Sequence, residues 1–135
     1  MATKLVIKDP VLTIDGNDIS TYVSSLTLNA EIEEQDGTAF GDGVRDYEAG
    51  LESNSAQITI KHADAMSALE GILWPLRSTK VILVARFKAA AVGTDNPSYT
   101  ATVLVGSLPL GGQVGSIMES SVTWRLCSTI TRATT

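Results

Sequence analysis

Hydrophobic and polar residues alternate along three stretches of this chain, beginning at Ser24, Ser55 and Ser121. Period-two alternation is typical of a β-strand that has one face on a core and the other face in water. The positions predicted to face inward are Leu26, Leu28, Ala30, Ile32, Ala56, Ile58, Ile60, Val122, Trp124 and Leu126. The positions predicted to face outward are Ser25, Thr27, Asn29, Glu31, Glu33, Ser55, Gln57, Thr59, Lys61, Ser121, Thr123 and Arg125.

Further strands are predicted at residues 11–15, 81–87 and 99–107. Asp15-Gly16 supplies the positive φ of a tight turn after the first of them. One helix is predicted between Asp64, a suitable N-cap, and Pro75, which ends it. Trp74, at the end of this helix, is expected in the core. Six or seven strands and one helix indicate a mainly β protein: an antiparallel β-sandwich or barrel with one flanking α-helix.

The length of 135 residues fits a single domain, 1–135, with its own hydrophobic core. Three segments are predicted outside the regular structure. They are a loosely attached N-terminal arm at 1–9, a long loop at 34–52 and a polar, flexible C-terminal tail at 128–135. Cys127 is the single cysteine of the sequence, so an internal disulfide is excluded. Its side chain is expected to be at least half-buried.

The stretch from Glu31 to Glu52 concentrates acidic residues. It holds eight of the chain's fifteen, namely Glu31, Glu33, Glu34, Asp36, Asp42, Asp46, Glu48 and Glu52. The flanking strands are predicted to form one long hairpin with this loop at its tip. Unstructured loops of such length are usually functional or disordered.

The overall charge of −5 argues against sequence-independent binding of nucleic acid, which depends on Lys and Arg. The apolar run at residues 5–7 is too short for a signal peptide. The uncharged stretch 96–118 contains prolines and glycines, so it is not a membrane span. A soluble protein made in the cytoplasm, without membrane insertion of its own, is therefore expected.

Catalytic chemistry has little support, because His62 is the only histidine and no nucleophile motif accompanies it. We predict no enzyme activity, no cofactor and no metal. A calcium site in the acidic loop would need acidic residues at the fixed spacings of a calcium-binding loop. The residues that follow Asp36 and those that follow Asp42 do not have these spacings. A solvated charged loop and an interaction surface are the other interpretations. Phe40, Val44, Tyr47 and Leu51 lie among the acids, as at a protein interface.

Nearly the whole chain resembles one protein family. The segments that carry the resemblance are VLTIDGNDISTYVSSLTLNAEIEEQDGTAFGD, RDYEAGLESNSAQITI, NPSYTATVLVGSLPLGGQVGSIMESSVTW and ITRATT. Their order and spacing are similar to those of the major tail tube proteins of long-tailed, siphophage-like bacteriophages. ESNSAQ, after Gly50-Leu51, departs from the expected turn.

The resemblance implies a subunit that self-assembles into rings, typically of six copies, stacked into a hollow tube for DNA ejection. One sheet of each subunit would line the channel, and the long hairpin would reach a neighbouring ring or subunit. DNA would pass without specific binding. The implied partners are further copies of this chain, a tape measure protein and a tail terminator protein. The implied location is the virion tail, after synthesis in the host cytoplasm.

Two sets of residues receive roles under this resemblance. Predicted to face the channel are Thr27, Asn29, Glu31, Glu33, Gln57, Thr59, Thr123 and Arg125. Predicted to form subunit or ring contacts are Asp36, Phe40, Arg45, Tyr47 and Leu51. The alternatives are another virion component, such as a decoration or tail-completion protein, and a metal- or carbohydrate-binding β-sandwich module.

Overall fold

The computed structural model describes residues 3–41 and 43–135. Ten β-strands occur in this part of the chain. They are β1 (Val11–Ile14), β2 (Asn17–Asp18), β3 (Val23–Asn29), β4 (Ile32–Asp36), β5 (Tyr47–Glu52), β6 (Ser55–Lys61), β7 (Lys80–Arg86), β8 (Ser98–Leu104), β9 (Glu119–Arg125) and β10 (Thr131–Ala133). One short α-helix, α1, spans Glu70–Leu73.

The strands form three antiparallel sheets. A five-stranded sheet has the order β10-β8-β7-β1-β2, a three-stranded sheet the order β3-β6-β9, and β4 pairs with β5 alone. A bridge between Val103 and Leu126 joins the two larger sheets at one corner. The predicted mainly β, antiparallel architecture with a flanking helix is confirmed.

The core lies between the two larger sheets, because their inner faces carry the apolar residues of the alternating pattern. In β9 every second residue is buried, as predicted, and Trp124 is only 2% exposed. The indole Nε1 of Trp124 donates to the Ser107 carbonyl at 2.7 Å, so its polar atom is satisfied inside the core. Fully burying a large apolar side chain contributes roughly 1.5–3 kcal/mol.

The inward prediction is wrong at the end of the first alternating stretch. Leu26 is buried and Leu28 half-buried, but Ala30 and Ile32 are exposed. The ladder between β3 and β6 ends at the pair Asn29 and Ser55, so no sheet covers the residues beyond it.

The predicted helix between Asp64 and Pro75 is broken into pieces. Its only α-helical turn is α1, with 3₁₀ turns at Met66–Ala68 and Trp74–Leu76. No side chain caps either of the first two elements, so the predicted capping role of Asp64 is wrong. The segment is held instead by Leu69 and Leu73, which are fully buried in the core.

Trp74 does not lie in the core as predicted, since it is 43% exposed. The guanidinium carbon of Arg77 lies 3.7 Å from the centroid of its ring. This cation–π contact covers one face of the indole at the surface.

The ends of the chain differ from each other. The stretch 128–135, predicted to be flexible, contains β10, which pairs with β8 through Thr131–Thr100 and Ala133–Ser98. Residues 3–9 form no strand, and Met1 and Ala2 of the predicted arm lie outside the described residues. Cys127 is exposed rather than half-buried.

Candidate assembly surfaces

The stretch predicted as a loop at 34–52 is a β-hairpin with a shorter loop. β4 pairs with β5 from Ile32–Glu52 to Asp36–Tyr47, which leaves residues 37–46 as the connection. Every described residue from Ala30 to Glu52 is exposed. Residues 31–52, called the hairpin arm below, therefore project from the rest of the protein, called the body.

Asn54 ties the base of the hairpin arm to the body. It is a buried polar residue, 6% exposed. Its Oδ1 accepts from the Glu31 amide at 3.1 Å, and its Nδ2 donates to the Ser128 carbonyl at 3.3 Å. The Leu126 amide donates to the Asn54 carbonyl at 3.0 Å. The arm thus leaves the body at a fixed point beside the end of β9.

The tip of the hairpin arm is closed by its own hydrogen bonds. The Thr38 amide donates to Asp36 Oδ1 at 3.0 Å, and the Asp46 amide donates to Thr38 Oγ1 at 2.8 Å. Arg45 Nη1 lies 2.9 Å from Asp36 Oδ2. The hydrogen bonds from the side chain and amide of Thr38, assisted by Arg45, lower the pKa of Asp36 below its ordinary value. Asp36 and Arg45, both predicted to contact other subunits, thus also shape the arm itself.

Large apolar side chains project from the hairpin arm without support from the core. Those exposed to solvent are Ile32, Phe40, Val44, Tyr47 and Leu51. Contiguous exposed apolar surface marks an interaction site more often than single exposed side chains do. The structure therefore places the predicted contact residues Phe40, Tyr47 and Leu51 on one projecting element.

The outer face of the three-stranded sheet is a second surface, and it is polar throughout. The register aligns its side chains in rows across β3, β6 and β9. These rows are Ser25–Thr59–Ser121, Thr27–Gln57–Thr123 and Asn29–Ser55–Arg125. Six of the eight residues predicted to face a channel lie in these rows, so the alternation predicted their common face correctly.

Glu31 and Glu33 do not share that face. Glu31 lies between β3 and β4, and Glu33 lies within β4 on the hairpin arm. The alternation could not reveal this, because a period-two pattern continues through a break between two sheets. A channel-facing role for these two residues would need a different surface.

An open depression at the surface was not predicted from the sequence. It is lined by residues 3–6, 8–9 and 88–90, and it contains Lys4, Lys8 and Lys88 beside Leu5 and Val6. These two segments lie some eighty positions apart along the chain, so no local pattern brings them together. We call it the N-terminal concavity.

Within residues 3–41 and 43–135, no group of three His, Cys, Asp or Glu side chains is placed to hold a metal ion. Asp42, the start of one calcium alignment, lies outside the described residues. His62, the one histidine of the sequence, contacts the Ser120 hydroxyl through Nε2.

None of the helices in the described residues is both long and apolar enough to cross a membrane.

No protein-family model matches this sequence, and no curated protein matches it either. Solved structures do share its fold. A structure of the SPP1 tail tube superposes with a TM-score of 0.74 at 9% identity, covering 94% of this chain and 77% of that one.

Two gene transfer agent structures are also similar. A chain of the virion of the native particle matches with a TM-score of 0.64 at 12% identity, over 96% of this chain and 99% of that one. A chain from the tail of the empty particle, solved with C6 symmetry, matches with a TM-score of 0.56 at 12% identity, over 91% and 92%. At these identities, the likeness establishes a shared fold.

Proposed function

We propose that this protein is a structural, non-enzymatic subunit that assembles into stacked rings, forming a phage-type tail tube through which DNA passes. Its fold is that of a tail tube chain and of two gene transfer agent chains. The C6 symmetry of one of these assemblies supports a ring of six copies. A virion location, synthesis in a host cytoplasm and contacts with tape measure and tail terminator proteins belong to the same proposal.

The observation that carries this proposal is the polar face of the three-stranded sheet. Its two central rows, Ser25–Thr59–Ser121 and Thr27–Gln57–Thr123, contain only hydroxyl and amide side chains. The face lacks the exposed apolar residues expected of a sheet that packs against a partner. A surface of this kind suits permanent contact with water, as in the lining of a channel.

The edges of the same sheet support its continuation into neighbouring copies. Among the described strands, β3 and β9 are the outer members of the sheet and both pair with β6. Open edges with unpaired backbone groups are templates for pairing with another chain. Since β3 and β9 are both antiparallel to β6, they run in the same direction. If β9 of one copy meets β3 of the next around a ring, the junction is therefore parallel.

The chemistry of the face also suits passage of DNA without binding. Affinity for DNA comes mainly from Lys and Arg that displace counterions from phosphates. Basic residues on this face occur only toward its ends, at Lys61 and Arg125, and Lys61 is opposite Glu119. A lining dominated by neutral hydroxyls offers phosphates no fixed cationic site.

Electron microscopy of the purified protein tests this function. We expect hollow tubes or rings at high concentration, or after nucleation by tail components. A strictly monomeric protein under both conditions would contradict the proposal. Rings that never stack would instead favour a tail-completion or decoration role. Stabilisation by calcium in thermal unfolding would favour a metal-binding module.

A further inference from the structure

We propose that the hairpin arm of one copy docks into the N-terminal concavity of a second copy, in the adjacent ring. This inference rests on the proposed function and deepens it, because it identifies the two surfaces that stack one ring on the next. It follows from where the surfaces lie, from their charges and from their exposed apolar residues.

The two surfaces lie at opposite ends of the three-stranded sheet. The hairpin arm leaves the sheet beside the pair Asn29–Ser55, at one end of β3. The other end of β3 is Val23, which lines a depression together with Lys8 and Ala89, adjoining the N-terminal concavity. Seven residues of strand place these ends about 20 Å apart. One copy therefore presents the arm at one pole and the concavity at the other.

The charges of the two surfaces are complementary. The hairpin arm contains eight acidic residues and one arginine, a net charge of −7, which leaves +2 for the body because the whole chain carries −5. The N-terminal concavity is lined by Lys4, Lys8 and Lys88 against the single acid Asp9. It is thus a basic surface on a protein that is acidic overall.

These charges are not neutralised within one copy. Among the described residues, the one salt bridge joins Arg45 and Asp36, both on the hairpin arm. The lysines of the concavity make no salt bridge in the described part of the chain, and neither do Glu33, Glu34 and Glu48 in β4 and β5. Both surfaces are therefore available to an oppositely charged partner.

Both the N-terminal concavity and the hairpin arm also carry exposed apolar side chains. Leu5 and Val6, which line the N-terminal concavity, are 57% and 66% exposed. On the hairpin arm, Phe40, Val44 and Leu51 are exposed to a greater degree. Burying such side chains against each other would remove apolar surface from water and so stabilise the contact. The flanking charges would fix the register and speed the encounter.

Complementary surfaces at opposite poles produce open growth. An interface between two different patches of the same chain generates a ring if the rotation closes, and an extended polymer if it does not. A contact that runs from one pole to the other is directed along the strands of the three-stranded sheet. It therefore adds copies along one axis, as the lengthening of a tube requires.

Charge reversal on either side tests this docking. The concavity variant is Lys4→Glu/Lys8→Glu, and the arm variant is Glu34→Lys/Glu48→Lys. All four side chains are exposed, so the fold should survive, and thermal unfolding checks this. A matched control, Lys80→Glu/Arg132→Glu, reverses two exposed bases that lie outside the concavity. Tube mass is measured by sedimentation, and tube length by electron microscopy.

We expect each two-residue variant to reduce tube mass at least tenfold and the control to leave it unchanged. The four-residue variant, which exchanges the signs of both surfaces, should recover most of the wild-type tube mass. Concavity variants that form normal tubes, or a four-residue variant without recovery, would overturn the docking and leave the proposed function standing. Wild-type protein that forms neither rings nor tubes would contradict the proposed function itself.

Discussion

His62 Nε2 lies 2.7 Å from the Ser120 hydroxyl oxygen, at the far end of β6 from the hairpin arm. Ser120 is 1% exposed, and its hydroxyl donates to the Pro109 carbonyl. A hydroxyl has a single proton, so His62 must donate through Nε2. His62 Nδ1 is buried without a hydrogen-bond partner in the described part of the chain. This chain of contacts fastens the glycine-rich connection between β8 and β9 to the sheet.

Substituting Ser120→Ala should destabilise the protein by about 1–3 kcal/mol, because it leaves a part-buried imidazole N–H and a carbonyl without partners. The free energy of unfolding in urea measures the effect. Ser121→Ala, the exposed neighbour on the other face of β9, is the matched control and should change stability by less than about 0.5 kcal/mol. If Ser120→Ala lowers the free energy of unfolding no more than Ser121→Ala does, the contacts of the Ser120 hydroxyl do not contribute to stability.

The two tryptophans should respond very differently to truncation. Trp124→Ala removes a buried indole and should cost about 3–5 kcal/mol. Trp74→Ala, at a 43% exposed side chain, removes only a surface contact with Arg77. It should cost less than about 1 kcal/mol. Urea unfolding of both variants measures the difference, and a larger effect at Trp74 would contradict its surface position.

The tip of the hairpin arm should loosen in acid. Because Thr38 and Arg45 lower the pKa of Asp36 in the folded arm, its ionised form is stabilised relative to the unfolded chain. This stabilisation is fully present above the ordinary carboxyl pKa of about 3.9 and is lost as pH falls through the lower folded pKa. Below the folded pKa of Asp36, hydrogen exchange of the Thr38 amide should therefore be faster, relative to an unstructured reference peptide, than at neutral pH.

Asp36→Asn is the control for this titration, since an amide at residue 36 cannot ionise. The Thr38 amide should then show reduced protection at neutral pH and no acid transition of its own. A transition of unchanged size in this variant would assign the effect to another carboxylate.

Replacing Phe40 and Tyr47 with alanine should abolish tube growth and leave the monomer folded. Both side chains are exposed on the hairpin arm, and Tyr47 pairs with Asp36 through its backbone, which alanine preserves. Electron microscopy and thermal unfolding measure the two properties. Val114→Ala, at an exposed apolar residue outside the arm, should form normal tubes. Normal tubes from the Phe40/Tyr47 variant would exclude these side chains from the assembly contacts.

A lysine in the centre of the polar sheet face should make the proposed channel retain DNA. Gln57 lies between Thr27 and Thr123, so Gln57→Lys adds one positive charge per copy at mid-face. Tubes of this variant should bind short DNA at least tenfold more tightly at low salt, and the binding should weaken steeply as salt rises. Co-sedimentation of labelled DNA with tubes measures it.

Thr94→Lys places the same charge on an exposed loop away from this face and is the control. If the two variants bind DNA equally, the polar face does not line the channel.

The alternation of the sequence determined the inner and outer faces of β3, β6 and β9. It succeeded there because each strand has one face on a core, so burial imposes period two on the residue types. The same pattern put Thr27, Gln57, Thr59 and Thr123 on one surface before any pairing was known. The concentration of acids between Glu31 and Glu52 likewise identified the segment that projects from the body.

Only the tertiary structure decided what lies beyond the core. The apolar residues of the hairpin arm lie outside the core and therefore carry no burial signal. For this reason the sequence predicts a loop at 34–52, where the structure has β5 and the last three residues of β4. β10 is a short polar strand whose pairing with β8 comes from backbone hydrogen bonds, which side chains do not encode. The N-terminal concavity joins Lys4 and Lys8 to Lys88 across most of the chain. Contacts between distant segments depend on how the sheets pack. For this reason only the folded chain shows that the hairpin arm and the basic concavity lie at opposite ends of the three-stranded sheet.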